Sequence, residues 1–183
     1  MAYQWQLALQ KSLKRNRREA HNRYLQLATI GLDGFPANRT VVFRGFGENG
    51  ELLIVTDRRN DKFAQVENDP RVEVSWYFTR SREQYRLRGQ LALVDAQGAH
   101  APARMAAWNK LSEAAREQFF WPHPGAPVGD DTNLTTSAEP PAHFLLGMLT
   151  VQRVDHLRLA GSPQQRMISQ MDGEAWLSTA VNP

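Results

Sequence analysis

The sequence predicts a mostly β fold with flanking helices, an antiparallel β-barrel, and three observations carry that prediction. Five β-prone runs follow one another between residues 24 and 94, tight-turn residues join them, and a single short helical stretch stands between the third and the fourth. Strands joined by such short connections pair antiparallel, and a sheet that closes on itself removes its exposed edges.

Residues 4–22 read as a helix, because Trp5, Leu9 and Leu13 recur every four residues while Lys11, Lys14, Arg15, Arg17 and Arg18 fill other faces. Two readings of that basic run stay open: a solvated helix face, or an arm for nucleic acid or membrane. The run lacks the interleaved aromatics of a strand-binding segment. From residue 24 to 32 the period shortens to that of a strand, and Asp33-Gly34 signals a hairpin turn. A second strand covers 38–46, Gly47-Glu48-Asn49-Gly50 closes it, and a third covers 51–56. Residues 61–68 form a short helix with Asn60 as N-cap, stopped by Asp69-Pro70. Strands at 71–78 and 84–94 follow, the second alternating around Tyr85, Leu87, Leu91 and Leu93.

The stretch 98–120 is helical again, with Ser112 capping its second part. Residues 121–143 form a loop punctuated by Pro122, Pro124, Pro127, Pro140 and Pro141. A loop of that length in a compact domain is functional, disordered or crosses to a partner subunit. Residues 144–154 return to a strand, and 163–171 read as a turn of helix or a strand ahead of Trp176. Neither a repeat nor a linker divides the 183 residues, which suit one domain.

Hydrophobic residues at 42% and charged residues at 22% argue against wholesale disorder. No apolar run reaches the roughly 18 residues of a membrane span, and the N-terminus does not read as a signal peptide. The expectation is a cytoplasmic protein without a membrane partner. Absence of cysteine removes disulfides, thiolate metal sites and cysteine nucleophiles. His21, His100, His123, His143 and His156 are scattered, and Asp130 and Asp131 have no ligand cluster beside them, so no metal is expected. A net charge of +3 favours an anionic partner, a phosphorylated small molecule among them.

Arg39, Arg44 and Lys62 fall at the ends of predicted strands and in the first turn of the 61–68 helix, with Thr56 and Asn60 just before it. A planar arginine fork and a compact ammonium beside free backbone N–H groups suit one dianionic phosphate. Ordinary surface charges flanking strands would give the same spacing. Strand parity opposes the first reading, since Arg39 and Arg44 fall on opposite faces of a continuous strand. They converge only if the strand bulges or ends near Gly45.

Three motifs in this order and spacing resemble the pyridoxamine 5'-phosphate oxidase family, the FMN-binding split β-barrel: Arg39-Thr40-Val41-Val42-Phe43-Arg44, then Ile54-Val55-Thr56 with Lys62 six residues on, then Glu83-Gln84-Tyr85-Arg86-Leu87-Arg88-Gly89. Trp121-Pro122-His123-Pro124-Gly125 resembles the mark of a shorter sub-branch. The resemblance implies an FMN site in which Arg39 and Arg44 grip the phosphate and ribityl chain. Thr40, Val41 and Val42 offer backbone groups to the ring, and Val55 and Thr56 line the next strand. Asn60 and Lys62 complete the phosphate site, Gln84 reaches the cofactor from the fifth strand, and Arg166 does so from the C-terminal segment. It also implies a homodimer with the flavin across the interface.

Two departures bear on the reaction. Where the family holds its vitamin substrate with an Arg-x-His triplet, this chain has Ser162-Pro163-Gln164, and His156-Leu157 stand where the family keeps a flavin-adjacent Trp. The expectation is an FMN-dependent oxidoreductase of a small-molecule substrate, without a nucleic-acid partner, whose catalytic residues and substrate the sequence does not name. A genuine pyridoxamine or pyridoxine phosphate oxidase and a non-catalytic flavin- or haem-type binding module are the alternatives.

Overall fold

The computed structural model describes residues 3–129 and 137–183. Part of the Pro-rich loop, with Asp130 and Asp131, lies outside the described residues. Helix α1 (Gln4–Arg15) precedes one turn of 3-10 helix at Ala20–Arg23. Strands β1 (Tyr24–Ile30), β2 (Pro36–Val42), β3 (Gly45–Phe46) and β4 (Leu52–Asp57) come next, then α2 (Asp61–Asn68), β5 (Arg71–Phe78) and β6 (Glu83–Val94). Helices α3 (Ala101–Asn109) and α4 (Glu113–Glu117) lead through a 3-10 turn to the long loop. Strands β7 (Phe144–Arg158), β8 (Gln165–Asp172) and β9 (Ala175–Val181) complete the described chain. Among the described residues no helix is long and apolar enough to cross a membrane.

The sheet runs β2-β1-β5-β6-β7-β4-β3, every pairing antiparallel, and β2 and β3 are consecutive in the chain. Closure happens between them. Phe43 N–H donates to Arg23 C=O on the β1 side, and Arg44 N–H donates to Leu53 C=O of β4. The chain changes partner within one residue, helped by Gly45 at φ +137°, a region that favours glycine. One 38–46 strand is therefore two, and Arg44 stands in the break.

Strand β7 pairs along its length with β6, while its other edge serves β4 over residues 144–149 and β8 over residues 153–158. A bulge at Arg88/Gly89 separates the halves. A Cβ on Gly89 would lie 2.0 Å from Thr150 C=O, so only glycine fits there. The run 144–149 is apolar on both faces because the barrel core covers one and α3 the other, where Trp108 packs on Phe119 and Phe144.

One expectation needs correction and two become definite. Helix α1 ends at Arg15 rather than residue 22, because the Asn16 side chain donates to Ser12 C=O and to Ser81 Oγ and turns the chain out of the helix. The stretch 163–171 is strand, and a further strand, β9, pairs with it. The 98–120 region is two helices, the second capped by Ser112 as expected, with its Oγ accepting from Ala115 N–H.

Candidate functional site

Two groups of expected site residues form, on opposite faces of the sheet. Arg39 pairs across to Leu27, and that row continues through Val74, Leu87 and Val154, all inward-facing core. Its guanidinium donates to Leu27 C=O (3.3 Å), Thr29 Oγ1 (2.6 Å) and Gln65 Oε1 (2.7 Å), the last from α2. Lys62, Gln65 and Val66 share the buried face of α2 at i, i+3, i+4 spacing. Lys62 Nζ donates to Thr56 Oγ1 at 2.7 Å and Asn60 Oδ1 at 3.4 Å. Asn60 does not cap the helix through its side chain; its amide donates to Thr56 Oγ1 instead.

Every acceptor in this inner cluster is neutral, and none of the described carboxylates forms an ion pair with Arg39 or Lys62. Burial lowers the pKa of Arg39, with Asp61 opposing. Burial and then Arg39 bring the Lys62 ammonium down to about 8, with Asp57 opposing. Two partly buried cations, hydrogen-bonded only to neutral acceptors and with Asp57 and Asp61 acting on them without forming ion pairs, make a cluster whose charge suits an anion such as a phosphate. FMN carries such a phosphate.

The second group faces outward. Tyr77, Gln84, Leu157, Arg166 and Val181 stand side by side across β5, β6, β7, β8 and β9. Gln84 and Arg166, distant in sequence, are thus in one row with Leu157 between them. Arg166 is fixed by Asp155, with Nε at 3.0 Å and a terminal nitrogen at 2.7 Å from its two oxygens, and Arg86 also donates to Asp155. Those contacts, Arg166 foremost, hold the Asp155 carboxyl at about 2 against its burial. Thr40 lies exposed on this outer face, Val41 is in the core, and Val55 packs outward on the Trp108 cluster while Thr56 points in.

Arg44 joins neither group. Beside Arg23 it borders a cavity of about 610 Å³ between α3 and β3–β4, whose lining includes His100 and Lys110 and, from β7, Met148. Burial and then Arg23 lower its pKa. Of the three cations expected at one phosphate, the structure brings Arg39 and Lys62 together and sets Arg44 apart from them, beside Arg23.

Sequence reasoning missed several partners. Thr29 and Gln65 position Arg39, and their signals were strand parity on β1 and the i+3 step from Lys62. Arg59 forks onto Asp57 while donating to the carbonyls of Phe119 (3.3 Å) and Trp121 (3.1 Å), which fastens the Lys62 turn to the start of the Pro-rich loop. No local pattern announces that bracket.

The family model for the FMN-binding domain of pyridoxamine 5'-phosphate oxidase matches residues 2–95. Pyridoxine/pyridoxamine 5'-phosphate oxidase 2 of Arabidopsis thaliana is 35% identical over 98% of this chain and 96% of its own length. A pyridoxamine 5'-phosphate oxidase-related, FMN-binding protein of Nostoc punctiforme is 41% identical, each chain covered in full, with a TM-score of 0.95. PhzG of Burkholderia lata shares the fold (TM-score 0.83, 16% identity). Sequence and architecture agree: this chain belongs to the FMN-binding pyridoxamine 5'-phosphate oxidase family and is built as its split β-barrel.

Proposed function

We propose that the protein is an FMN-dependent oxidoreductase of a small anionic substrate, working as a cytoplasmic homodimer that holds each flavin between two chains. The observation that carries this is the division of the site residues between faces. Arg39, Thr56, Asn60 and Lys62 lie at the inner cluster, Gln84 and Arg166 in the outer row, and one chain cannot turn both toward one cofactor. A second chain can. In this reading one protomer holds the phosphate through Arg39 and Lys62, with Thr56 and Asn60 orienting the ammonium. The backbone of Thr40, Val41 and Val42, with Val55 in the next strand, borders the flavin ring. The partner supplies the Gln84–Leu157–Arg166 row.

Bound FMN supplies the electron chemistry. The chain supplies placement, and the Arg23–Arg44 pair offers an anionic substrate a charged end opposite the apolar wall of α3. Ser162 and Gln164 lie exposed in the β7–β8 turn and bring no cation to that substrate.

Complementation tests the shared site. Lys62→Ala and Arg166→Ala each weaken FMN binding alone, and refolding the two variants together restores about a quarter of the sites, the fraction expected when random pairing gives each mixed dimer one intact site. No restoration would place both groups on one flavin within one chain. For the reaction, pyridoxamine and pyridoxine phosphates are expected to turn over well below ordinary enzyme efficiency, about 10⁴ M⁻¹s⁻¹. Full turnover in a steady-state oxidase assay would make the protein a genuine vitamin B6 phosphate oxidase.

A further inference from the structure

Behind the Gln84–Arg166 row, on the other side of β6 and β7, lies a buried polar cluster centred on Glu83. Glu83 and Tyr85 face inward beneath α1, directly across from Arg158 and His156. Ser12, in the middle of α1, donates to Glu83 Oε2 at 2.8 Å and lies 2.9 Å from the Tyr85 hydroxyl. His156 stacks flat on Tyr85, with ring centroids 4.0 Å apart. Its Nε2 sits 3.4 Å from Glu83 Oε1 and is buried without a well-formed hydrogen bond among the described residues. Burial would raise the Glu83 pKa, but the polar contacts of His156, Ser81 and Ser12 outweigh it and bring it to about 2.

Above this floor a groove of about 400 Å³ runs between α1 and the end of β7. Lys11, Arg15 and Arg158 rim it. Arg15 and Arg158 each approach Glu83 only to 3.8 Å, and Lys11 has no ion-pair partner among the described residues. Three basic side chains around one carboxylate leave a surplus of positive charge, concentrated in a concave space rather than spread on a surface. Leu7 and Ala8 give the same groove an apolar wall one helical turn from the cations. The volume suits a small molecule rather than a polymer.

We infer that the groove between α1 and β7 is a second anion site, distinct from the flavin phosphate cluster and from the Arg23–Arg44 cavity, that binds a small organic phosphate. The phosphate oxygens lie among Lys11, Arg15 and Arg158, the organic part rests on Leu7 and Ala8, and the edge of the His156 ring closes the inner end. The site straddles α1 and β7 on the side of the sheet opposite Gln84 and Leu157, so a ligand there bears on the strands that carry the outer row.

The test uses FMN-saturated protein, so that the Arg39–Lys62 cluster is already occupied, and phenyl phosphate as the probe, with phenol as its uncharged counterpart. Imidazole resonances report the location, since His156 lines this groove and His100 the Arg23–Arg44 cavity. Phenyl phosphate is expected to shift the His156 signals saturably while phenol does not. Lys11→Gln with Arg158→Gln should weaken the effect about tenfold or more. Ala8→Phe, which fills the groove and keeps every cation, should abolish it while FMN absorbance shows the fold intact. Shifts at His100 alone, no saturable shift, or a shift indifferent to both variants would each overturn the site. Single-stranded RNA that displaces the probe and depends on Arg17 and Arg18 instead would also overturn it, in favour of the exposed face of the basic segment.

Discussion

Lys62 shows how one buried side chain sets two opposite pH responses. In the free protein its ammonium titrates at about 8 rather than near 10.5, so the folded state resists the proton that the unfolded chain accepts. Its contribution to stability therefore rises as pH increases from about 8 towards 10.5, where the unfolded chain still binds the extra proton. FMN affinity runs the other way. A phosphate favours protonated Lys62, so above pH 8 binding must take up a proton, and affinity should fall by as much as about tenfold per pH unit. Riboflavin, lacking the phosphate, should show no such slope, and parallel curves for the two flavins would remove Lys62 from the site. Arg39→Ala combined with Lys62→Ala removes two charge-assisted contacts and should weaken FMN binding about a hundredfold or more. Glu83 has the acid-side counterpart. Its lowered pKa stabilises the fold above the normal carboxylate range, and that stability is lost as pH falls through the range down to about 2. Glu83→Gln should flatten the acid unfolding curve of the protein, measured by circular dichroism; a curve as steep as that of the unaltered protein would show that the cluster adds nothing.

Among the elements, the bulge facing Gly89 is the most constrained. Gly89→Ala drives a methyl group into the Thr150 carbonyl and should cost about 1–3 kcal/mol in urea unfolding, as overpacking does. An unchanged midpoint would mean that β7 slides freely past β6. Strands were legible in the sequence wherever one face meets the core: Tyr85, Leu87 and Leu91 alternate because β6 is half buried. Strand β8 was legible only as a choice between helix and strand, and β9 not at all, because little of either is buried, and exposed hairpins carry no apolar period to read. The end of α1 was hidden for a different reason. Lys14, Arg15, Arg17 and Arg18 all favour helix, and what stops it is a contact between Asn16 and Ser81, far off in the chain. Thr56, Asn60 and Lys62 were legible as a group because they are close in sequence, whereas the placement of Arg44 depended on a pairing with Leu53 that local pattern does not encode.

At the scale of the molecule, the outer face makes the strongest demand. Tyr24, Tyr77 and Leu177 stand roughly half exposed on β1, β5 and β9, and the β8–β9 hairpin is largely open to solvent. Strand β8 is anchored on β7, but β9 has β8 as its one strand partner among the described residues and leaves apolar side chains such as Leu177 uncovered. Light scattering should therefore return a dimer mass for FMN-loaded protein, and Leu177→Lys with Tyr77→Lys should lower both the dimer fraction and the flavin content. A monomer that keeps its flavin would refute the shared site.

The double duty of β7 also sets an order of assembly. The pairs β1–β2, β3–β4 and β5–β6 form across short connections, but Asp57 of β4 meets Phe144 only after α3, α4 and the Pro-rich loop have been spanned. Until then both β4 and β6 show bare edges. Loop closure across that distance is slow compared with hairpin formation, so β7 should dock late and convert an open, sticky sheet into a barrel. A chain ending after β6 would keep those edges for good, and should be recovered as aggregate where the full chain refolds. Substitutions at Leu146 or Leu149 should likewise speed unfolding more than they slow folding, a division that stopped-flow measurements can resolve.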